Sequence, residues 1–259
     1  MRRVLFFGLL IASLTACTKK DKPTSQQVGQ PLVSKMTKKD GSLTETYNFS
    51  YNANNQLTTV TTGAFTIQVS YNDQKQVKRV EKKYAGGRWT LQTDYTYIGN
   101  QVSREERYEE LADVQLRHSY SYEIGSNNLP SRIFYINTNN TNSYTADIYY
   151  GANTNPSSII STAGQRTEYQ YSNKDFLLFP KNAFIYPWLD IYLTHEYNYY
   201  LPLTKELLSY KRTTGNGWQV DLQYYYHPNG TVAKLIWHLK HNTPEPEHIV
   251  EYTFDYINR

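Results

Sequence analysis

Alternation of tyrosine with polar residues, repeated along most of the chain, constrains the fold more than any other feature of the sequence. Tyr47, Phe49 and Tyr51 alternate with small polar residues, and segments 169–171 and 222–226 follow the same rule. Because successive side chains of a strand point to opposite faces, each such segment has one aromatic face and one wet face. This pattern is typical of an antiparallel sheet with a single buried side.

A unit built from a tyrosine, a polar turn and a second short strand recurs at intervals of about 20 to 30 residues. Its clearest copies begin at Tyr51, Tyr71 and Tyr226, and weaker copies begin at Tyr97, Tyr122, Tyr150, Tyr171 and Tyr199. Short turns join strands that are neighbours in space. We therefore predict an all-β fold: an antiparallel up-and-down meander of about 15 to 18 strands, curled or closed into a barrel-like sheet that leaves no long exposed edge.

The first seventeen residues predict the compartment. Arg2 and Arg3 precede an apolar run over residues 4–14, and Ala16-Cys17 follows. The run is too short to cross a bilayer as a helix, for which about 20 residues are needed. The pattern resembles the signal peptide and lipobox of a bacterial lipoprotein. The resemblance implies cleavage before Cys17, acylation of that residue with fatty acids such as palmitate, and passage to the outer membrane.

The chain divides into three predicted parts. Residues 1–16 are the signal peptide, residues 17–34 a lipidated flexible tether rich in polar residues, and residues 35–259 the repeat-built β domain. Near 176–193 the rhythm breaks, because large apolar residues crowd together and Pro180 and Pro187 interrupt them. Prolines disfavour both a central strand and a long helix, so we predict an irregular insert that packs against the open end or the interior of the sheet.

Residue types that could carry chemistry occur in patterns that favour other roles. His238 and His241 differ in parity on a strand, so with His248 they predict a solvated hairpin rather than a metal site. Four glutamates lie between residues 105 and 110 and predict a charged, solvated strand edge that deters aggregation. Acylation would consume the thiol of Cys17, which is the only cysteine. Apart from this lipidation site, we predict no catalytic, cofactor-binding or metal-binding residue.

Function follows from the compartment more than from chemistry. We predict a lipid-anchored cell-envelope protein without evident catalytic chemistry, a binding or structural module rather than an enzyme. The alternative is a glycan-acting hydrolase or a carbohydrate-binding protein, with Asp94, Glu123 or Asp221 as acids, although all three fall on the predicted polar face. A cavity lined by Trp89 and Trp218 would favour a small ligand.

Partners are predicted in equally general terms. The formal net charge of +4 is too weak to indicate nucleic acid. No cofactor is expected, and a glycan or a protein is the candidate ligand, while the oligomeric state is left open. The apolar face is mainly tyrosine, which suits an interface better than the middle of a bilayer. We therefore expect contact with the membrane only through the lipid anchor.

The repeating unit, Tyr-Asn/Asp-x-x-Asn/Gly-x-Leu/Val, resembles the YD (Rhs-type) repeat over about residues 45 to 259. The Gly-Arg-Leu end of that consensus is missing, because Tyr51 and Tyr71 lead into Gln-Leu and Gln-Val instead. Together with the lipobox, the unit resembles uncharacterised Gram-negative lipoproteins that carry a domain of unknown function with a porin-like fold. The resemblance implies a barrel-like or curled sheet and assigns no activity.

Overall fold

A computed structural model describes residues 31–86, 89–111, 114–137, 143–151, 155–175, 206–213, 218–241 and 246–259. In these ranges lie sixteen β-strands: β1 (Pro31–Asp40), β2 (Leu43–Tyr51), β3 (Leu57–Thr61), β4 (Phe65–Tyr71), β5 (Val77–Tyr84), β6 (Trp89–Ile98), β7 (Gln101–Leu111), β8 (Val114–Ile124), β9 (Pro130–Asn137), β10 (Ser143–Tyr150), β11 (Pro156–Ser161), β12 (Arg166–Asp175), β13 (Glu206–Thr213), β14 (Trp218–Tyr226), β15 (Val232–His241) and β16 (His248–Asn258).

The strands form one closed antiparallel barrel in chain order. Each strand pairs with the next, and β1 pairs with β16 in a register that runs from Pro31↔Asn258 to Asp40↔Val250. The predicted all-β meander and its strand number are confirmed. The pairing of β1 with β16 closes the sheet, so the described strands leave no unpaired edge.

The core lies inside the barrel. Tyr47, Phe49 and Tyr51 are buried on the inner side of β2, as the alternation predicts, and belong to a single cluster with the aliphatic residues of the other strands. Val33, Val60 and other members of this cluster are fully shielded from solvent. Burial of this kind indicates a packed interior at these positions, whereas porins of similar strand number enclose an aqueous channel.

Ion pairs lie on the outer wall, together with exposed apolar side chains such as Ile136 and Ile249. One example is Lys234 Nζ, which lies 2.6 Å from Glu251 Oε2, a contact between β15 and β16. Similar pairs join outward side chains around the circumference: Lys35–Asp255, Arg79–Asp94, Arg104–Glu106, Arg117–Glu106, Arg132–Asp147, Arg166–Glu168 and Lys240–Asp221. Exposed pairs of this kind contribute little stability.

A β-bulge recurs at the start of the odd-numbered strands. In β3, Leu57 pairs with Tyr51 and Thr59 with Ser50, which leaves Thr58 as the extra residue. The Thr58 hydroxyl donates to the Ser50 carbonyl across the strands at 3.1 Å. The same bulge and hydroxyl contact recur with Ser34, Ser103, Ser131 and Ser157. The bulge reverses the side-chain parity, so two residues three positions apart, such as Leu57 and Val60, are both buried.

In five hairpins the repeated tyrosine lies just beyond the last backbone pair. In hairpin β3–β4 the ladder stops at Thr59↔Gln68, and the Tyr71 hydroxyl, three residues later, donates to the Leu57 carbonyl at 2.7 Å. The carbonyl thus gains a donor where the backbone ladder has ended. The same bond joins Tyr51 to Val33, Tyr97 to Val77, Tyr150 to Pro130 and Tyr256 to Val232. We call these five side chains the cap tyrosines.

The boundaries of the predicted parts differ at one point. Residues 31–34, which the prediction assigns to the tether, belong to the barrel, because Leu32 and Val33 are buried and β1 pairs with β16 from Pro31 onward. The predicted signal peptide, most of the tether and the insert near 176–193 lie outside the described residues. None of the described residues forms a helix long and apolar enough to cross a membrane.

Candidate functional site

One hairpin, β7–β8, departs from the repeat that the others share. In each hairpin one residue of the odd-numbered strand forms the backbone pair farthest from the turn. In six other odd-numbered strands the next residue along the chain is a buried aliphatic residue: Met36, Val60, Val80, Ile133, Ile159 and Leu235. In β7 this residue is Glu105, which is also buried. On β8, Ile124 occupies the place of a cap tyrosine, three residues beyond the last pair, Arg104↔Ser121. The exchange of apolar for charged residues makes this hairpin the candidate site.

Glu105 and Arg107 form a buried charged pair at this site. Their side chains are 3% and 8% exposed, and Arg107 Nη2 lies 3.9 Å from Glu105 Oε2. The Tyr122 hydroxyl donates to Glu105 Oε1 at 2.9 Å, so the carboxyl group has one close donor. Arg107 is less well satisfied, because its Nε makes no hydrogen bond within the described part of the chain.

Two tyrosines flank this pair on the neighbouring strands. Glu105 lies directly opposite Tyr95 on β6 and Tyr120 on β8. The Arg107 guanidinium lies over the Tyr120 ring, with Cζ 5.4 Å from the ring centroid. His118, opposite Arg107, approaches the Tyr135 hydroxyl of β9 through its Nδ1 at 2.8 Å. The candidate site therefore spans the inner face of four adjacent strands, β6 to β9.

Burial sets the protonation of these groups. It raises the pKa of Glu105, although the Arg107 charge and the Tyr122 hydrogen bond oppose this rise. It also raises the pKa of Tyr95 and Tyr120, so both phenols stay protonated and can donate hydrogen bonds. The pKa of His118 is lowered, again mainly by burial. The site thus presents neutral phenols and a permanently charged guanidinium around one carboxyl group.

A second recess lies at the rim of the barrel, at the ends of β4 and β6. It is an open cleft of about 670 Å³ between the turn at 72–76 and Gly99. Tyr71, Tyr95 and Tyr97 contribute aromatic surface, and Asn72, Asp73, Gln74 and Gln76 contribute amide and carboxylate groups. The volume falls in the range of small-ligand pockets.

The acids considered for hydrolysis are not brought together. Asp94, Glu123 and Asp221 lie on the outward faces of β6, β8 and β14, and each pairs with a cation of a neighbouring strand. Their predicted position on the polar face is confirmed. This separation gives no support to a carboxylate pair acting on one glycosidic bond.

The predicted edge at residues 105–110 is wrong. β7 pairs with both β6 and β8, so it is a central strand, and Glu105 points inward while Glu106 points outward. The predicted histidine hairpin corresponds to β15 and β16. In it His238 Nδ1 is 3.0 Å from Glu247 Oε1, and His248 Nε2 is 2.9 Å from Asp40 Oδ1 of β1. Among the described residues no group of three potential ligands could hold a metal ion.

Two other predicted features lie outside the description. The side chains of Trp89 and Trp218 lie outside the described part, and so does any cavity lined by them that would have favoured a small ligand. The same holds for Cys17. The residues that sequence reasoning missed, Glu105 and Arg107, are the two that the bulge at Ser103 turns inward.

Comparisons with known proteins identify the fold. No family model matches the chain, and no curated protein matches it. A porin-like protein from Bacteroides uniformis is similar in structure, with a TM-score of 0.53 and 16% identity over 86% of this chain and 96% of that one. A porin-like protein from Bacteroides vulgatus gives a TM-score of 0.56 at 10% identity, over 87% of this chain and 98% of that one. The chain therefore has the all-β antiparallel fold of these porin-like proteins.

Proposed function

We propose that this chain is a lipid-anchored protein of the bacterial outer membrane, whose barrel stands in water and binds a ligand without catalysis. The ring of ion pairs on the outer wall carries this proposal. A barrel that spans a membrane needs an outward apolar band about 25 Å tall, and charges at its middle are costly. The lipobox supplies an anchor that such a water-exposed barrel would need, and the porin-like names of the two similar structures support an envelope location.

Lipidation is tested by metabolic labelling in a Gram-negative host. The full chain should incorporate labelled palmitate and fractionate with the outer membrane, and Cys17→Ser should lose both properties. Lys19→Ser, a change in the same tether, should keep both. Labelling of the Cys17→Ser chain would refute the anchor.

The water-exposed barrel is tested by detergent dependence. The Cys17→Ser chain should purify from a soluble fraction without detergent, because ion pairs lie on its wall where a membrane-spanning barrel needs an apolar band. Aggregation that only detergent reverses would instead indicate a barrel embedded in the membrane.

A carbohydrate ligand at the rim cleft is the second candidate function. The observation that favours it is the combination of tyrosine rings with amide and carboxylate side chains in one recess of suitable volume. A glycan array should show binding that Gln74→Ala weakens, whereas Asn54→Ala, the matching position of the preceding turn, should not. A hydrolase screen on the same protein separates binding from turnover, and turnover lost on a single carboxylate substitution would overturn the non-catalytic reading.

A further inference from the structure

The interior of hairpin β7–β8 holds a buried hydrogen-bond donor without an acceptor among the described residues, Arg107 Nε. Arg107 offers five N–H groups, but within the described residues its only polar contact is the Glu105 carboxylate at 3.9 Å, beyond hydrogen-bond distance. No hydrogen bond joins the hydroxyls of Tyr95 and Tyr120 to other described residues, but at this site Arg107 Nε is the fully buried donor without a partner. Buried donors without acceptors are costly, and a native interior normally satisfies them.

The repeat provides a second, independent observation. The equivalent inward position is aliphatic in six other strands, and those side chains belong to the same core cluster as their neighbours. An aliphatic residue at position 105 would fit this repeat, so barrel formation alone does not require the charged pair. The equivalent strands fold without a charged pair at this position. The Glu105–Arg107 pair therefore points to a role other than folding.

We infer that Arg107, Tyr95 and Tyr120 form a binding site for an oxyanion, a carboxylate or phosphate group, inside the barrel. The planar guanidinium fork matches the geometry of both groups. Tyr95 and Tyr120 lie opposite Glu105 on β6 and β8, and the guanidinium lies over the Tyr120 ring, so an oxyanion bound to Arg107 would lie near their hydroxyl donors. Glu105 holds the guanidinium by charge and is itself held by Tyr122. This inference rests on the proposed binding role and specifies the chemistry of its ligand.

The test uses the full chain and two probes, sodium acetate and sodium phosphate, against sodium chloride at equal ionic strength. Each oxyanion is titrated by calorimetry and by the shift it causes in the melting temperature. Binding of either probe supports the site, and the preferred probe identifies the source as a carboxylate or a phosphate group. Heat and melting shifts that chloride matches would overturn it.

Variants locate the binding. Arg107→Gln should abolish it, whereas Arg117→Gln, on the outer wall of the same hairpin, should leave it unchanged. Tyr120→Phe removes only one hydroxyl and should weaken binding about tenfold, which keeps the test decisive if Arg107→Gln fails to fold. Equal affinity in the native chain, Tyr120→Phe and Arg107→Lys would mean an adventitious surface anion and would overturn the inference. Palmitate labelling is independent of these measurements, so failure here is distinguishable from failure of the proposed anchor.

Discussion

At the residue scale, two adjacent glutamates of β7 occupy opposite environments. Glu105 is buried with Arg107, whereas Glu106 on the outer wall accepts hydrogen bonds from Arg104 and Arg117 at 2.7 and 2.8 Å. Burial raises the pKa of Glu105, and the Arg117 hydrogen bond lowers the pKa of Glu106. The bulge at Ser103 sets which glutamate points inward. Burial therefore disfavours the ionised form of Glu105, whereas the arginines favour the ionised form of Glu106.

The two glutamates should give opposite dependences of stability on pH. A carboxyl whose pKa is raised on folding contributes stability below its unfolded pKa, about 4.3, and loses it as pH rises through the folded pKa. The native chain should therefore lose up to about 1.4 kcal/mol of unfolding free energy per pH unit relative to Glu105→Gln in that window. Glu106→Gln serves as the matched control, because the lowered pKa of Glu106 gives a loss as pH falls instead. Urea unfolding between pH 2 and pH 8 measures both, and parallel curves for the native chain and Glu105→Gln would contradict the prediction.

At the element scale, the repeat combines a turn, a bulge and a cap. In the turn at 52–56, Asn52 Oδ1 accepts from the Gln56 amide at 3.0 Å, and the turn at 72–76 repeats this bond at 2.9 Å. Gln56 Nε2 then donates to the Lys75 carbonyl, and Gln76 Nε2 donates to the Gly99 carbonyl, so each turn contacts the next. The sequence unit is therefore a hairpin whose polar residues bind its neighbours around the rim.

Loss of a cap tyrosine should cost one hydrogen bond. The Tyr150 hydroxyl donates to the Pro130 carbonyl at 2.7 Å, so Tyr150→Phe leaves this carbonyl without that donor. We expect the unfolding free energy to fall by about 1 kcal/mol. Tyr149→Phe is the control, because Tyr149 is the adjacent residue and faces solvent. Equal stabilities of the two variants in urea unfolding would show that the cap bond contributes nothing.

The sequence predicted elements better than it predicted the site. Tyrosine alternation and turn spacing are local signals, so the meander, its strand number and the inward face of β2 were accessible. The bulge at Ser103 could not be predicted in this way, because a serine there looks like any outward polar residue. The bulge nevertheless reverses the inward and outward side chains for the rest of β7. Counting from Val102 places Arg104 and Glu106 inside, whereas the structure places Glu105 and Arg107 there. A pattern with several copies could have revealed this, since Leu57 and Val60 show the same three-residue step.

At the scale of the whole molecule, closure depends on strands from the two ends of the described chain. Thr37 of β1 and Thr253 of β16, more than 200 residues apart, are directly paired and face outward. The barrel therefore makes a contact that neither local repeats nor turn geometry can encode, and closure relies on the summed twist and register of fourteen intervening strands.

A disulfide between these two positions tests that closure. In a Cys17→Ser background, which contains no other cysteine, the Thr37→Cys/Thr253→Cys chain should oxidise to a cross-linked monomer that migrates faster on a non-reducing gel. The long loop that it closes should raise the unfolding free energy by about 2–4 kcal/mol over the reduced form. Thr37→Cys/Thr59→Cys is the control, because β2 separates β1 from β3 and places the two residues more than about 10 Å apart, beyond the reach of a disulfide. Oxidation of the control pair alone, or only dimers from the test pair, would mean that β1 and β16 do not meet.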